Sequence, residues 1–218
     1  MRKNSGFTLV EIIVVLAVLG ALMAAIAPAA FTYINDARRS QATSDAGRIA
    51  SAVAKFAEHT ALLPYKNNTT AVKVNAMQSG DYDCLYGASD TTVTTAIDSS
   101  GSTSWTGGSG GVACQSGSAT RDTIDNHLIT NTPGGSGTKA YATTGKNAWR
   151  GPYLPNVPSD PWGNAYLVNV GRGDPSAATK KAVWVISPGP NGVLETSSDA
   201  DRASIVTAGG DDIVARIQ

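Results

Sequence analysis

The sequence predicts an α+β protein: one long N-terminal helix, apolar enough to cross a membrane in its first half and amphipathic in its second, packed on a small antiparallel sheet. Three observations carry this reading. Residues 12–34 run for 23 positions without a charge, and a helix needs roughly 20 apolar residues to span a bilayer. Ala46, Ile49, Ala50, Val53, Phe56 and Ala57 then recur at helical spacing, with Arg38, Arg39, Asp45, Arg48, Lys55 and Glu58 at polar positions. Beyond residue 148 the chain returns to short alternating apolar runs bounded by Pro and Gly, the pattern of strands and turns. The helix should end at Leu63-Pro64.

Composition narrows the function classes. The 218 residues hold 17 basic and 17 acidic side chains, a balance that leaves no electrostatic footprint for nucleic acid. Charged residues make only 16 % while apolar ones reach 42 %, which implies an unevenly divided chain. Two cysteines exclude a four-cysteine zinc site, and 23 glycines with 10 prolines are too few and too irregular for a triple helix.

The apolar N-terminal run is a membrane segment or a secretory signal. Ala25-Ile26-Ala27 imitates a signal-peptide cleavage site. Against that, Pro28 would follow the cut directly and the apolar pattern continues through Phe31, Tyr33 and Ile34. Glu11 is the stronger objection, because a carboxylate held at mid-membrane depth costs about 2.5–3.5 kcal/mol on insertion scales. As an acid in the first helical turn it would merely be favoured by the macrodipole. The hexapeptide GFTLVE, Gly6 to Glu11, follows a short basic leader and opens the apolar helix. It resembles the processing site of type IV pilins and of the pseudopilins of type II secretion. The resemblance implies cleavage between Gly6 and Phe7 by a prepilin peptidase, methylation of the new Phe7 amine, and a type IV pilin-like fold. Residues 1–6 are then a removable leader, 7–35 the transmembrane and filament-core helix, and 36–64 its amphipathic continuation. Loss of Arg2 and Lys3 leaves 15 basic side chains against 17 acidic ones.

After cleavage a cationic amine stands four residues before a carboxylate at the lip of the apolar helix. Each is costly in hydrocarbon unless paired. The expectation is that Glu11 meets the Phe7 amine of the preceding subunit and sets the axial register of a filament. Pro28 removes one backbone hydrogen bond and crowds the carbonyl of residue 24, so a kink or a locally unwound stretch is expected there. Pilin relatives often carry a proline at this spacing, and the resemblance makes Pro28 an assembly residue; an ordinary tolerated transmembrane proline is the alternative.

Residues 65–148 are dominated by Thr, Ser, Gly, Asn and Asp, with candidate strands such as 71–74. They read as a decorated insertion or as a flexible linker, for which 100–111 is suited. Cys84 and Cys114 argue for local order: in an oxidising compartment a bridge between them would contribute around 3–4 kcal/mol in the chain-entropy picture. His59 and His127 stand alone in the sequence and read as solvated residues.

The segment 149–171, WRGPYLPNVPSDPWGNAYLVNVG, resembles the region of type II secretion major pseudopilins in which a Pro-rich loop, a DPWGN turn and a strand follow one another. Its physics agrees: Asp160-Pro161 and Gly163-Asn164 favour a tight turn, 165–170 alternates as a strand, 181–187 is its hairpin partner, and 204–208 or 213–217 supplies a third. Residues 149–218 thus form the sheet and a closing loop. Between 187 and 213, Asn191, Glu195, Asp199, Asp201, Asp211 and Asp212 gather oxygen donors among glycines and prolines, as a hard cation such as Ca2+ requires. By composition alone the loop is equally well read as solvated acid. Major pseudopilins bind calcium in the corresponding loop, and the resemblance points to Asn191, Glu195, Asp211 and Asp212 side chains with the Leu194 carbonyl. The inserted 197–206 departs from the compact family loop, which makes Asp199 and Asp201 the weakest candidates.

The expected function is structural: a non-enzymatic subunit of a helical homo-oligomeric filament, processed by a prepilin peptidase and built from the bacterial inner membrane by an assembly platform and its ATPase, together with minor pilins or pseudopilins. The head would lie in the periplasm. A major pseudopilin of a type II secretion system is the leading expectation, and a type IV major pilin forming a surface fibre for adhesion, motility or DNA uptake is the alternative. A membrane-anchored calcium-binding module is a remoter one. No Ser/His/Asp, metal-histidine or phosphate-loop constellation accompanies the carboxylates, so catalysis is not expected.

Overall fold

The computed structural model describes residues 6, 8–65, 81–87, 114, 121–170, 182–196 and 208–217. The leader residues 1–5, Phe7, the candidate strands 71–74 and 204–207, and Asp199 and Asp201 lie outside the described residues. The chain divides into two compact units, Met1–Ser40 and Gln41–Gln218.

Helix α1, Leu9–Thr60, carries Pro28 in its interior. The helix stays wound through that position, so the locally unwound stretch anticipated there does not occur in the isolated chain. Thr32 helps by donating its hydroxyl to the Pro28 carbonyl at 3.2 Å, one of the devices that re-satisfy backbone groups around an internal proline. All described side chains of the first unit are exposed, including Leu9, Ile13, Leu16, Met23 and Phe31. An apolar surface of this extent is not left to water; by length and composition this is the one helix among the described residues fit to cross a membrane.

In the second unit the helix turns amphipathic. Ala46, Ile49, Ala50, Val53 and Phe56 are buried, as the spacing predicts; Ala57 is only half-buried, and Ala42, Ala52 and Thr60 are buried as well. Asp45, expected on the polar side, is also buried; it lies at the edge of the stripe, where the exposed Arg48 reaches it at 3.0 Å. Phe56 is the largest knob on the stripe, packed edge-on against Tyr141 and Tyr153 with ring centroids at 4.8 and 5.6 Å. Thr60 closes the helix: its hydroxyl donates to the Phe56 carbonyl and accepts from Leu62 N–H, while Ala61 takes the left-handed conformation with φ of 57°.

The sheet has five strands: β1 (Cys84–Tyr86), β2 (Arg121–Thr123), β3 (Leu167–Val168), β4 (Val183–Ser187) and β5 (Ile213–Ile217), in the order β2-β1-β3-β4-β5. The three C-terminal strands pair antiparallel as expected, β3 through Val168 opposite Val185 and β4 through Val185 opposite Ala215. Two further strands come from the 65–148 segment, and β1 and β2 run parallel. The expected three-stranded antiparallel sheet is therefore extended by segments too short to show a two-residue period. A short helix, α2 (Ile124–Leu128), follows β2 directly, with Thr123 as its N-cap accepting from Asn126 N–H.

Both sheet faces are buried. Leu85, Val168, Val183, Val185 and Ile217 join the helical stripe in the main core. The alternate residues Cys84, Leu167 and Ile186 face the other way, where they meet Cys114 and Leu194 in a second cluster. The disulfide anticipated from the sequence is present between Cys84 and Cys114, with Cα atoms 5.2 Å apart and a separation of 30 residues. It ties part of the insertion to the sheet, and Arg121 adds a second tie by donating to the Cys114 carbonyl at 3.1 Å. Asn169 continues the β3–β4 pairing with its side chain, accepting from Trp184 N–H at 2.6 Å and donating to the Ala182 carbonyl at 3.2 Å.

Candidate functional site

At the start of α1 the structure gives Glu11 a local role that the sequence reading did not extract. Thr8 N–H and the Thr8 hydroxyl both donate to Glu11 Oε2, at 3.2 and 3.3 Å, and Glu11 N–H donates back to Thr8 Oγ1 at 3.3 Å. This is a capping box, and its signature, Thr followed three residues later by Glu, stands in the sequence as Thr8-Leu9-Val10-Glu11. The carboxylate is exposed. Gly6 is exposed as well, which suits a peptide bond that a protease must reach.

The acidic loop is laced from both sides. Asp212 Oδ2 accepts from the N–H groups of Glu195 and Thr196 at 2.8 and 2.6 Å. Asp211 N–H donates to Glu195 Oε2 at 3.1 Å, and Asn191 N–H donates to Asp211 Oδ2 at the same distance. Asn191 Oδ1 accepts from Val193 N–H, an Asx turn. Two glycines make this approach feasible: a Cβ on Gly210 would collide with the Glu195 carboxylate and one on Gly189 with the Asp211 carbonyl, and both residues have positive φ. Asn191, Glu195, Asp211 and Asp212 are thus brought into one loop, while Leu194 turns its side chain into the second core cluster. Asp211 Oδ1 and Asp212 Oδ1 are buried without a hydrogen-bond partner among the described residues. Burial pushes the Asp212 carboxyl up from its ordinary value, against the Thr196 side chain and the backbone donors of Thr196 and Glu195, and the Glu195 charge adds to the rise. Among the described residues no three His, Cys, Asp or Glu side chains already converge on one point. The donors nevertheless fit a hard cation in kind: all are oxygens, and two of the buried carboxylate oxygens have no hydrogen-bond partner among the described residues.

DPWGN is the brace of this loop. Asp160 is buried and its carboxylate accepts from Trp162 N–H at 3.0 Å, Asn164 N–H at 2.7 Å and the Ser187 hydroxyl at 2.6 Å. Asn164 Nδ2 reaches across to the Gly189 carbonyl at 3.0 Å. The motif therefore locks the exit of β4 to the turn before β3.

A polar network in the core corrects the reading of His127 as solvated. Its side chain is fully buried, with Nδ1 2.7 Å from the Tyr141 hydroxyl and Nε2 2.9 Å from Asp122 Oδ2, an electrostatic contact more than an aligned hydrogen bond. The Tyr82 ring packs edge-on at 5.6 Å, and its phenol is pushed up to about 12 by burial and then by the charges of Asp122 and Asp81. Asp122 also accepts from Thr123 N–H, Asn126 Nδ2 and Gly134 N–H. Burial holds the His127 pKa below its ordinary value near 6.5, with Asp122 opposing; the partners of Asp122 hold its pKa below the ordinary 3.8 although burial pushes the other way. His127 is thus neutral in the folded head where an unfolded chain would take up a proton. Stability from this group is complete above pH 6.5 and falls as pH drops below it, by at most about 1.4 kcal/mol per pH unit. Asp122 contributes stability above pH 3.8 that is lost as pH falls through its lower native pKa. Guanidinium titrations followed by tryptophan emission should show the full chain in micelles losing stability between pH 7.5 and 5.5, and His127→Gln lacking that loss. An identical pH slope in both chains would show that His127 does not titrate on unfolding. A lone histidine gives no signal of this in sequence, since Asp122 and Tyr141 approach it only through the fold.

Two families match the chain. Residues 1–27 match the prokaryotic N-terminal methylation motif, and residues 130–206 match the type II secretion system (T2SS) protein G family. No curated protein and no solved structure matches it. An apolar helix that opens on the N-terminal methylation motif and continues as an amphipathic half on a mostly antiparallel sheet gives the chain a type IV pilin-like architecture. Within that class, the match over residues 130–206, which holds DPWGN and the first part of the acidic loop, supports a pseudopilin subunit of a type II secretion system. Pseudopilins are structural rather than catalytic, and membership carries filament assembly and prepilin peptidase processing with it. The motif and the helix together mark a membrane-anchored subunit.

Proposed function

We propose that the chain is the repeating subunit of a short periplasmic pseudopilus, with its head in the periplasm and no catalysis of its own. An assembly platform and its ATPase draw it from the inner membrane, and helix packing replaces lipid contacts. The observation that carries this is the exposed apolar half of α1 opening on Thr8 and Glu11, in a chain whose C-terminal segment matches protein G. Cleavage after Gly6 frees the Phe7 amine, and Glu11 meets the amine of the preceding subunit, since the geometry of one first turn points its own amine away along the axis. Pro28 would then act as a yielding point in the packed filament. The Cys84–Cys114 bond supports an oxidising, periplasmic location for the head. Mass spectrometry should find the mature chain beginning at a methylated Phe7. Overexpression should give short filaments by electron microscopy, and a deletion strain should lose export of folded proteins. Long surface fibres with export intact would favour a pilus instead.

We further propose that Asn191, Glu195, Asp211, Asp212 and the Leu194 carbonyl hold Ca2+. The ion would supply the positive charge that the buried carboxylate oxygens lack. The full chain in detergent should melt at a higher temperature in calcium than in chelator, the gain reaching about 2.7 kcal/mol at a hundredfold excess over Kd. Asp212→Asn should abolish that gain. Equal melting of the native chain in both buffers would sink the site.

A further inference from the structure

The disulfide and the acidic loop stand back to back on one face of the sheet. Cys84, Cys114 and Leu194 share one apolar cluster with Leu167 and Ile186, and all three are at most 1 % exposed. Leu194 directly precedes Glu195, whose N–H donates to Asp212 and whose carboxylate accepts from Asp211 N–H. One aliphatic side chain therefore seats the acidic loop in the cluster that the disulfide helps to build. Cys114 comes from outside the sheet, and beside the disulfide Arg121 ties it there by donating to its carbonyl.

We propose that the Cys84–Cys114 disulfide positions the cation loop through Leu194, so that calcium affinity and resistance of the bond to reduction rise and fall together. The inference rests on the calcium reading above. Well-packed interiors transmit the loss of a wall, because the side chains that leaned on it lose their contacts outright. A site that gathers like-charged carboxylates binds in proportion to how far the fold has already ordered them. Reduction frees Cys114 from Cys84, loosens the cluster in which Leu194 is seated, and leaves more of the ordering of Glu195 and its partners to the ion itself. Linkage then requires the converse at equilibrium, so that bound calcium makes the bond harder to reduce, and a loop held over the buried sulfurs also slows the entry of a reductant.

The test uses the full chain in detergent micelles. Calcium titrations by calorimetry should give a Kd about tenfold weaker for Cys84→Ser/Cys114→Ser and for Leu194→Ala than for the native chain, within the range usual for coupled sites. Tryptophan emission reports whether each variant remains folded. Reduction of the native disulfide by a trialkylphosphine should be about tenfold slower in calcium than in chelator, and Leu194→Ala should be reduced faster and lose the calcium effect. Native affinity in both variants overturns the coupling while the cation site stands. If the native chain takes up no calcium, the cation site falls and the coupling with it. Should the double-serine chain fail to fold, the reduction rates decide, and rates indifferent to calcium in a native chain that binds it overturn the proposal.

Discussion

Cells in which Glu11→Gln replaces the native chain should insert and process the subunit normally yet make no filament, a loss of at least about tenfold in sheared or imaged polymer. Glutamine is the informative change. It serves the reciprocal capping arrangement with Thr8 as well as glutamate does, so the helix start survives while the charge is gone. Glu11→Ala removes both. If charge pairing between subunits governs assembly, the two variants fail alike. Should Glu11→Gln assemble and Glu11→Ala not, the residue acts through the helix start and the intersubunit pairing is wrong. Membrane fractionation and mass spectrometry of the N-terminus confirm that insertion and cleavage are intact in each.

The second large effect is expected at Asp160. Replacing it by alanine leaves the N–H groups of Trp162 and Asn164 and the buried Ser187 hydroxyl without their acceptor. Hydrogen bonds to a buried charge are worth roughly 1.5–3 kcal/mol each and do not add fully, so a loss of about 3–5 kcal/mol is expected from guanidinium unfolding. That is a large share of the 5–15 kcal/mol available to a domain. Asp160→Asn keeps one acceptor oxygen and turns an amide donor toward Ser187 or Asn164, so its cost should be smaller. A loss under about 1 kcal/mol for Asp160→Ala would show that the turn is held by its glycine and proline alone.

Much of this architecture was readable because its signals are periodic or chemically specific. The stripe from Ala46 to Phe56 repeats at the helical period, and β4 alternates Val183, Trp184, Val185 and Ile186 between the two faces. The cysteine pair was legible because the choice of partners was single. What escaped notice depends on contacts distant in sequence. Strands β1 and β2 are three residues each and are paired across a segment without pattern. His127 gains its burial from Tyr141 and Asp122, and Asp160 its weight from Ser187, 27 positions away. The capping box at Thr8 is a different case: the letters were present, and the interest of Glu11 as an intersubunit partner hid its simpler local task. For the acidic loop the sequence named the oxygens, and the fold adds that two of them are buried without a partner.

Asn169 substitutes for a rung of backbone between β3 and β4, directly after the last residue of β3. Alignment of these strands is thereby settled before the chain reaches residues 171–181. An insertion between residues 170 and 182 therefore need not slide one strand past the other. A position for labelling the polymer thus follows from a single amide side chain, provided Asn169 itself is kept.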